Sequence, residues 1–177
     1  MKRYLVTTSV KRSMNYEQPM LFLGEWCRFS KKAKQNNLRD IELAAPYGIS
    51  RESRLNDIDE VISLKSKLIR ILTNSLNEIH STSYSDRYWY ILMGDWLDKI
   101  TSVIFNRINT LDKCLENYEI SGTTILSSAS YSLATKDSFT STQAFNDPFW
   151  NHFFYSYLLQ KKENLNFKIN YLESHKK

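Results

Sequence analysis

Two long apolar stripes, back to back in the middle of the chain, constrain the fold most. Ile58, Val61, Ile62, Leu68, Ile69, Leu72, Leu76 and Ile79 recur at three- and four-residue steps, a spacing that lines them along one side of a helix. Asn56 or Asp57 supplies an N-cap, and Asp59 and Glu60 suit the positive end of the helix dipole. The turn HSTSYSD follows, with Ser83 or Ser85 as the next cap. A second stripe then runs through Trp89, Leu92, Met93, Trp96, Ile100, Val103, Ile104, Ile108 and Leu111.

The flanks of these helices have strand character. RYLVTTS from Arg3, MLFLGEWC from Met20 and DIELAAPYG from Asp40 precede them, and GTTILSSA from Gly122 follows. MLFLGEWC has the near-continuous apolar run of a strand buried on both faces. The polar stretch Ser130–Asp147 is expected to form a long loop. Pro148 suits the first turn of a helix through FWNHFFYSYLLQKK, and NFKINYLESHKK ends with one more strand and a basic tail. This order predicts an α/β, Rossmann-like layered domain with a mainly parallel sheet and long helices, one domain over residues 1–177.

Composition removes several classes. Hydrophobic residues make up 42% of the 177, enough for a core, while no apolar run reaches the roughly 18–20 residues of a membrane span. The N-terminal apolar stretch is too short for a signal peptide. Cys27 and Cys114 have no metal or redox spacing and are expected to be free thiols in a reducing cytoplasm. His80, His152 and His175 have no ligand spacing, so no metal site is expected. Four glycines in the chain form neither Gly-x-Gly-x-x-Gly nor a P-loop. Asp57 and Asp59 resemble a metal-holding Asp-x-Asp pair, but acidic residues belong at a helix start in any case.

The charge is uneven. Residues 1–40 hold nine Lys/Arg against three Asp/Glu, so the other 137 residues sum to −1 of the net +5. The cluster at Arg28–Lys34 is compatible with a solvated loop or with a surface that meets phosphates or anionic lipid. No recognition motif accompanies it, so nucleic acid is not an expected partner.

Ligands of open α/β sheets collect at the carboxyl ends of strands. Glu25 and Trp26 stand there, after the apolar run and Gly24. Glu25 is a candidate base or hydroxyl-positioning carboxylate, or a helix cap. Asn77 and His80 share a helix face at i and i+3, and His80 is a candidate proton carrier or anion contact. Arg107 lies on an apolar stripe, where its charge needs an internal partner or an anionic ligand.

Two motifs together resemble a known family. LFLGEWC (Leu21–Cys27) followed by LNEIHSTSYSDRYWYILMGDWL (Leu76–Leu97) is similar to the amino-terminal region of transferases whose genes sit in O-antigen and other surface-polysaccharide clusters. There a strand reading Phe-Leu-Gly-Glu-Trp-Cys precedes a helix ending Leu-Asn-x-x-His. A second helix opens Arg-Tyr-Trp-Arg-Ile and continues Gly-Pro-Trp-Leu. NDPFWNHFFYSYLLQ resembles a later family segment. The resemblance singles out Glu25, Trp26, Asn77, His80, Arg87, Tyr88, Trp89, Gly94 and Trp96, with Tyr90 where the family has arginine and Asp95 where it has proline.

The resemblance implies Glu25 and His80 as catalytic candidates. It implies Trp26, Asn77, Arg87, Tyr88, Trp89 and Trp96 as substrate contacts, to which the striped Arg107 is added. Aromatic faces suit sugars and guanidinium forks grip phosphates, although Tyr88, Trp89 and Trp96 also suit a core. It further implies a glycosyltransferase B arrangement, in which this chain forms the acceptor-side half. The nucleotide-sugar donor then belongs to a missing C-terminal domain, and no cofactor is expected in this chain. The acceptor would be a saccharide or lipid-linked group at the inner face of the cytoplasmic membrane. A truncated, non-catalytic interaction module is the alternative.

Overall fold

The structure is a computed structural model that describes residues 1–28, 40–127 and 131–173. Lys31, Lys32 and Lys34 of the basic cluster, and His175, lie outside the described residues. The chain divides into two compact units, one formed by Met1–Tyr47 with Arg107–Lys177 and the other by Gly48–Asn106.

The first unit is built on five parallel strands: β1 (Arg3–Val6), β2 (Met20–Phe22), β3 (Ile41–Leu43), β4 (Ile120–Ser127) and β5 (Lys168–Glu173). Their order in the sheet is β3-β2-β1-β4-β5. The chain therefore moves outward from β1 on one side, then returns to the other side of β1. This reversal is the topological switch point of a Rossmann-like sheet. Leu5, Val6, Leu21 and Phe22 are almost wholly buried, as the apolar runs require of strands covered on both faces. Leu111 and Cys114 of α2 (Asp86–Asn117) and Tyr155 and Leu159 of α4 (Pro148–Lys161) join the same core. Each such leucine contributes about 2 kcal/mol. Cys27 and Cys114 are free, and burial pushes both thiols up to about 12. They are inert at neutral pH.

Pro148 opens α4 as expected, with Asp147 Oδ1 accepting the Trp150 amide at 2.7 Å. The polar stretch before it is not all loop, because α3 (Ser138–Ala144) forms inside it. Its cause is local: Asp137 accepts the Thr140 amide, and Thr140 Oγ1 accepts the Asp137 amide. This reciprocal capping starts a helix without an apolar stripe.

The second unit is a helical hairpin of α1 (Arg51–His80) and the first part of α2. Ile69, Trp89 and Leu97 form its buried centre, with Leu68, Leu72, Leu76, Trp96 and Ile100 packed around them. Lys65 Nζ reaches Asp98 Oδ1 at 3.1 Å. The cap of α1 is Ser50, whose Oγ accepts the Ser53 amide at 3.0 Å, so the helix starts earlier than Asn56 or Asp57. Only part of each stripe is covered. Leu55, Ile58, Ile62 and Leu92 are all more than half exposed. Among the described residues, no helix is long and apolar enough to cross a membrane.

α1 ends on Ser81 in the left-handed region, φ 53° and ψ 45°. Glycine carries no Cβ penalty there. Ser81→Gly is therefore expected to stabilise the protein by about 0.5 kcal/mol, read as a raised urea midpoint. A lowered midpoint would show that the serine side chain holds the cap.

Candidate functional site

The carboxyl edge of the sheet gathers Thr7 and Thr8 after β1, Glu25 and Trp26 after β2, and His152 of α4. Gly24 leads from β2 into the 3-10 turn Glu25–Cys27. The Trp26 ring folds back over Gly24, where any Cβ would sit 2.2 Å from ring carbons. Trp26 Nε1 donates to the Thr7 carbonyl at 3.0 Å. The ring is thus fixed at both ends yet remains 49% exposed. Glu25 pairs with Arg28 Nε at 2.6 Å, and both side chains are solvent-exposed.

Beyond Leu5 and Thr123 the pairing of β1 with β4 stops, and His152 fills the split. It is 1% exposed. Its Nε2 accepts the Leu126 amide at 3.1 Å, and its Nδ1 faces Thr8 Oγ1 at 3.5 Å. Because Nε2 accepts, the neutral ring carries its proton on Nδ1. Burial lowers the imidazole to about 4. Sequence reasoning treats this residue only as one of three histidines without ligand spacing. Its position inside the aromatic run FWNHFFYS was the available signal, since a polar ring there must be buried and partnered. Among the described residues, no group of three His, Cys, Asp or Glu side chains is placed to hold a metal.

Arg107 sits one residue from this ring in its contacts. Its Nε donates to Asn151 Oδ1 at 2.5 Å and a terminal nitrogen to the Phe145 carbonyl at 2.7 Å. Asn151 Nδ2 donates to the same carbonyl at 3.0 Å and to the Asp147 carbonyl at 2.8 Å. Arg107 thus holds the entry to α4 through neutral oxygens. Burial lowers its pKa, opposed by Tyr155.

In the helical hairpin, Asn77 organises the turn. Its Oδ1 accepts from Thr82 Oγ1, the Tyr84 amide and Trp89 Nε1, each at 3.0 Å. Its Nδ2 donates to the Tyr84 carbonyl at 2.8 Å. His80 stacks on Trp89 with ring centres 5.7 Å apart, and Tyr84 stacks on Tyr88 at 4.0 Å. Ser85 Oγ accepts the Tyr88 amide at 3.3 Å, so Ser85 rather than Ser83 is the cap. Trp89 and Trp96 pack in the hairpin core, whereas His80, Arg87 and Tyr88 face solvent. Tyr90 folds onto Gly94, whose missing Cβ leaves room for the ring, and its hydroxyl donates to Asp98 at 3.3 Å.

A parallel sheet in this order, with polar side chains and an exposed aromatic gathered at its carboxyl edge, has the layout in which open α/β sheets hold ligands. The chain belongs to the family described as LIC12162 family transferase, whose model matches residues 3–177. It is accordingly assigned to the transferases. No curated protein and no solved structure matches it.

Proposed function

We propose that this transferase domain works in the assembly of O-antigen or a related surface polysaccharide, moving a sugar from a nucleotide-activated donor to a saccharide or lipid-linked acceptor. Trp26 carries the reading: a half-exposed indole, immobilised by the Thr7 carbonyl, is a ready stacking surface for a sugar ring. In this chemistry the acceptor oxygen attacks the anomeric carbon and the bond to the donor phosphate breaks. The nucleoside diphosphate leaves with the electron pair, and the acceptor proton passes to Glu25. On the hairpin, His80, Arg87 and Tyr88 are assigned to hydroxyl or anionic groups. The donor is assigned to a further C-terminal domain, and the basic segment beginning at Arg28 to the anionic face of the cytoplasmic membrane.

Saturation-transfer NMR against a panel of saccharide acceptors and nucleotide sugars tests this. Trp26→Ala is expected to weaken saccharide binding about tenfold, equivalent to about 1.4 kcal/mol, and Glu25→Gln to leave binding intact while abolishing transfer in the full polypeptide. Unchanged affinity in Trp26→Ala would overturn the stacking role.

A non-catalytic interaction module has one observation in its favour, the uncovered Leu55, Ile58 and Ile62 stripe. It predicts that Ile58→Asp leaves any transfer activity unchanged but abolishes co-purification with a separately supplied C-terminal half.

A further inference from the structure

The turn that follows β1 is basic and lies over the switch point. Lys11–Ser13 forms a 3-10 turn that packs against β4, with Lys11 and Arg12 both exposed. An Arg12 terminal nitrogen donates to the carbonyl of Glu173, the last residue of β5, at 3.0 Å. The turn packs on β4, and β5 lies on the side of β4 away from β1, so this side chain runs from β4 to the carboxyl end of β5. Adjacent strands are roughly 4.8 Å apart and all end on the same edge, so the guanidinium lies at the carboxyl edge, beside the end of β4. On its other side β4 is the strand whose pairing with β1 stops at Leu5 and Thr123.

The contact uses one donor of a group that has five. Among the described residues Arg12 makes no ion pair, in contrast to Arg3, which is held by Asp40 at 2.8 Å and Glu42 at 2.6 Å. A cation anchored by a neutral carbonyl keeps its full charge and most of its fork for something else. Lys11 stands beside it on the same exposed turn. Thr8 and Ser13 beneath are buried, and Ser13 Oγ is committed to the Val10 carbonyl at 2.8 Å. The floor is therefore rigid while the cations are exposed above it.

We propose that Arg12, with Lys11 beside it, forms an anion subsite over the switch point that takes the diphosphate of a substrate. This rests on the carboxyl edge being the transfer site. A planar guanidinium presents paired N–H groups that match two oxygens of one phosphate, whereas an ammonium does not. The same diphosphate chemistry occurs in a nucleoside diphosphate leaving group and in a lipid-linked acceptor.

Isothermal titration of the whole chain with inorganic pyrophosphate at fixed ionic strength tests the subsite directly. Wild type is expected to bind. Arg12→Ala and Arg12→Gln are expected to bind at least about tenfold more weakly, Arg12→Lys between them, and Lys11→Ala to lose less than Arg12→Ala. Unchanged circular dichroism separates lost binding from lost fold. Competition by uridine diphosphate and by geranyl diphosphate then assigns the source: the tighter competitor names the nucleotide or the lipid side, and equal competition means that the diphosphate alone is read. Pyrophosphate bound equally by wild type and Arg12→Ala overturns the subsite and leaves the transfer reading intact. So does a wild type that binds saccharides but no pyrophosphate. Binding of neither removes both.

Discussion

Between pH 7 and pH 4 the protein is expected to lose about 3 kcal/mol of stability to one side chain, His152. The unfolded chain takes up the imidazole proton near 6.5 and the folded chain only near 4. Between those values the unfolded state holds more protons, so stability falls as the pH falls. The contribution is complete above about 6.5 and gone below about 4, and each unit of separation is worth 1.36 kcal/mol. The cause is burial of the ring, which disfavours its charged form; its Nε2 also accepts the Leu126 amide, against which a protonated ring would turn a second donor. His152→Gln keeps an oxygen to accept that amide and does not titrate. Urea unfolding of both proteins from pH 7.5 to pH 4 supplies the measurement. The carboxylates are common to both, so the difference between the two curves isolates His152. A difference that does not vary with pH would mean that the ring is not held neutral in the fold.

Asn77→Ala is expected to cost about 2–3 kcal/mol and to loosen the turn between α1 and α2. Four hydrogen bonds disappear together, three to one oxygen. Each is worth about 1 kcal/mol, reduced where water can replace the amide and raised where the Trp89 indole N–H is left half buried. Asn77→Asp should cost less, since a carboxylate still accepts the three donors. It loses the bond to the Tyr84 carbonyl and sets a negative charge at the unfavourable end of α1. Hydrogen exchange at Thr82 and Tyr84, with Trp89 fluorescence, reports on the turn directly. Alanine and aspartate variants of equal stability would show that the shared oxygen does not organise it.

The parts legible in the sequence are those with local causes. The apolar runs of β1 and β2, Pro148 at the head of α4 and the stripes Leu68–Leu76 and Trp89–Ile100 all follow from periodicity or from one residue's backbone. The start of α1 was hidden because its first turns are charged and Leu55, Ile58 and Ile62 are left uncovered, so nothing marks Ser50 as the cap. α3 was hidden by its polarity, since its signal is an Asp137–Thr140 reciprocal cap.

In the candidate site, Gly24, Glu25 and Trp26 were legible because a glycine after an apolar run marks a strand end. His152 and Arg12 were not. The partner of His152 is a backbone amide freed only where β1 and β4 separate. The reach of Arg12 has meaning only once β5 is known to lie beyond β4. Both depend on strand order, which no short motif encodes.

The division of the first unit into two stretches also bears on how the protein reaches its fold. β1 finds β2 nearby, Tyr4 opposite Met20, but meets β4 only at Ile120 and Gly122. Closing the sheet at its centre therefore waits until the whole hairpin has been bridged, and such distant pairings are the slow ones. The hairpin itself is continuous and built from neighbouring turns. Local order among α1 and the first part of α2 shortens the wandering of the intervening chain, lowering the entropy lost when β4 docks beside β1. A loosened Asn77 turn should therefore slow refolding of a sheet to which Asn77 contributes no strand.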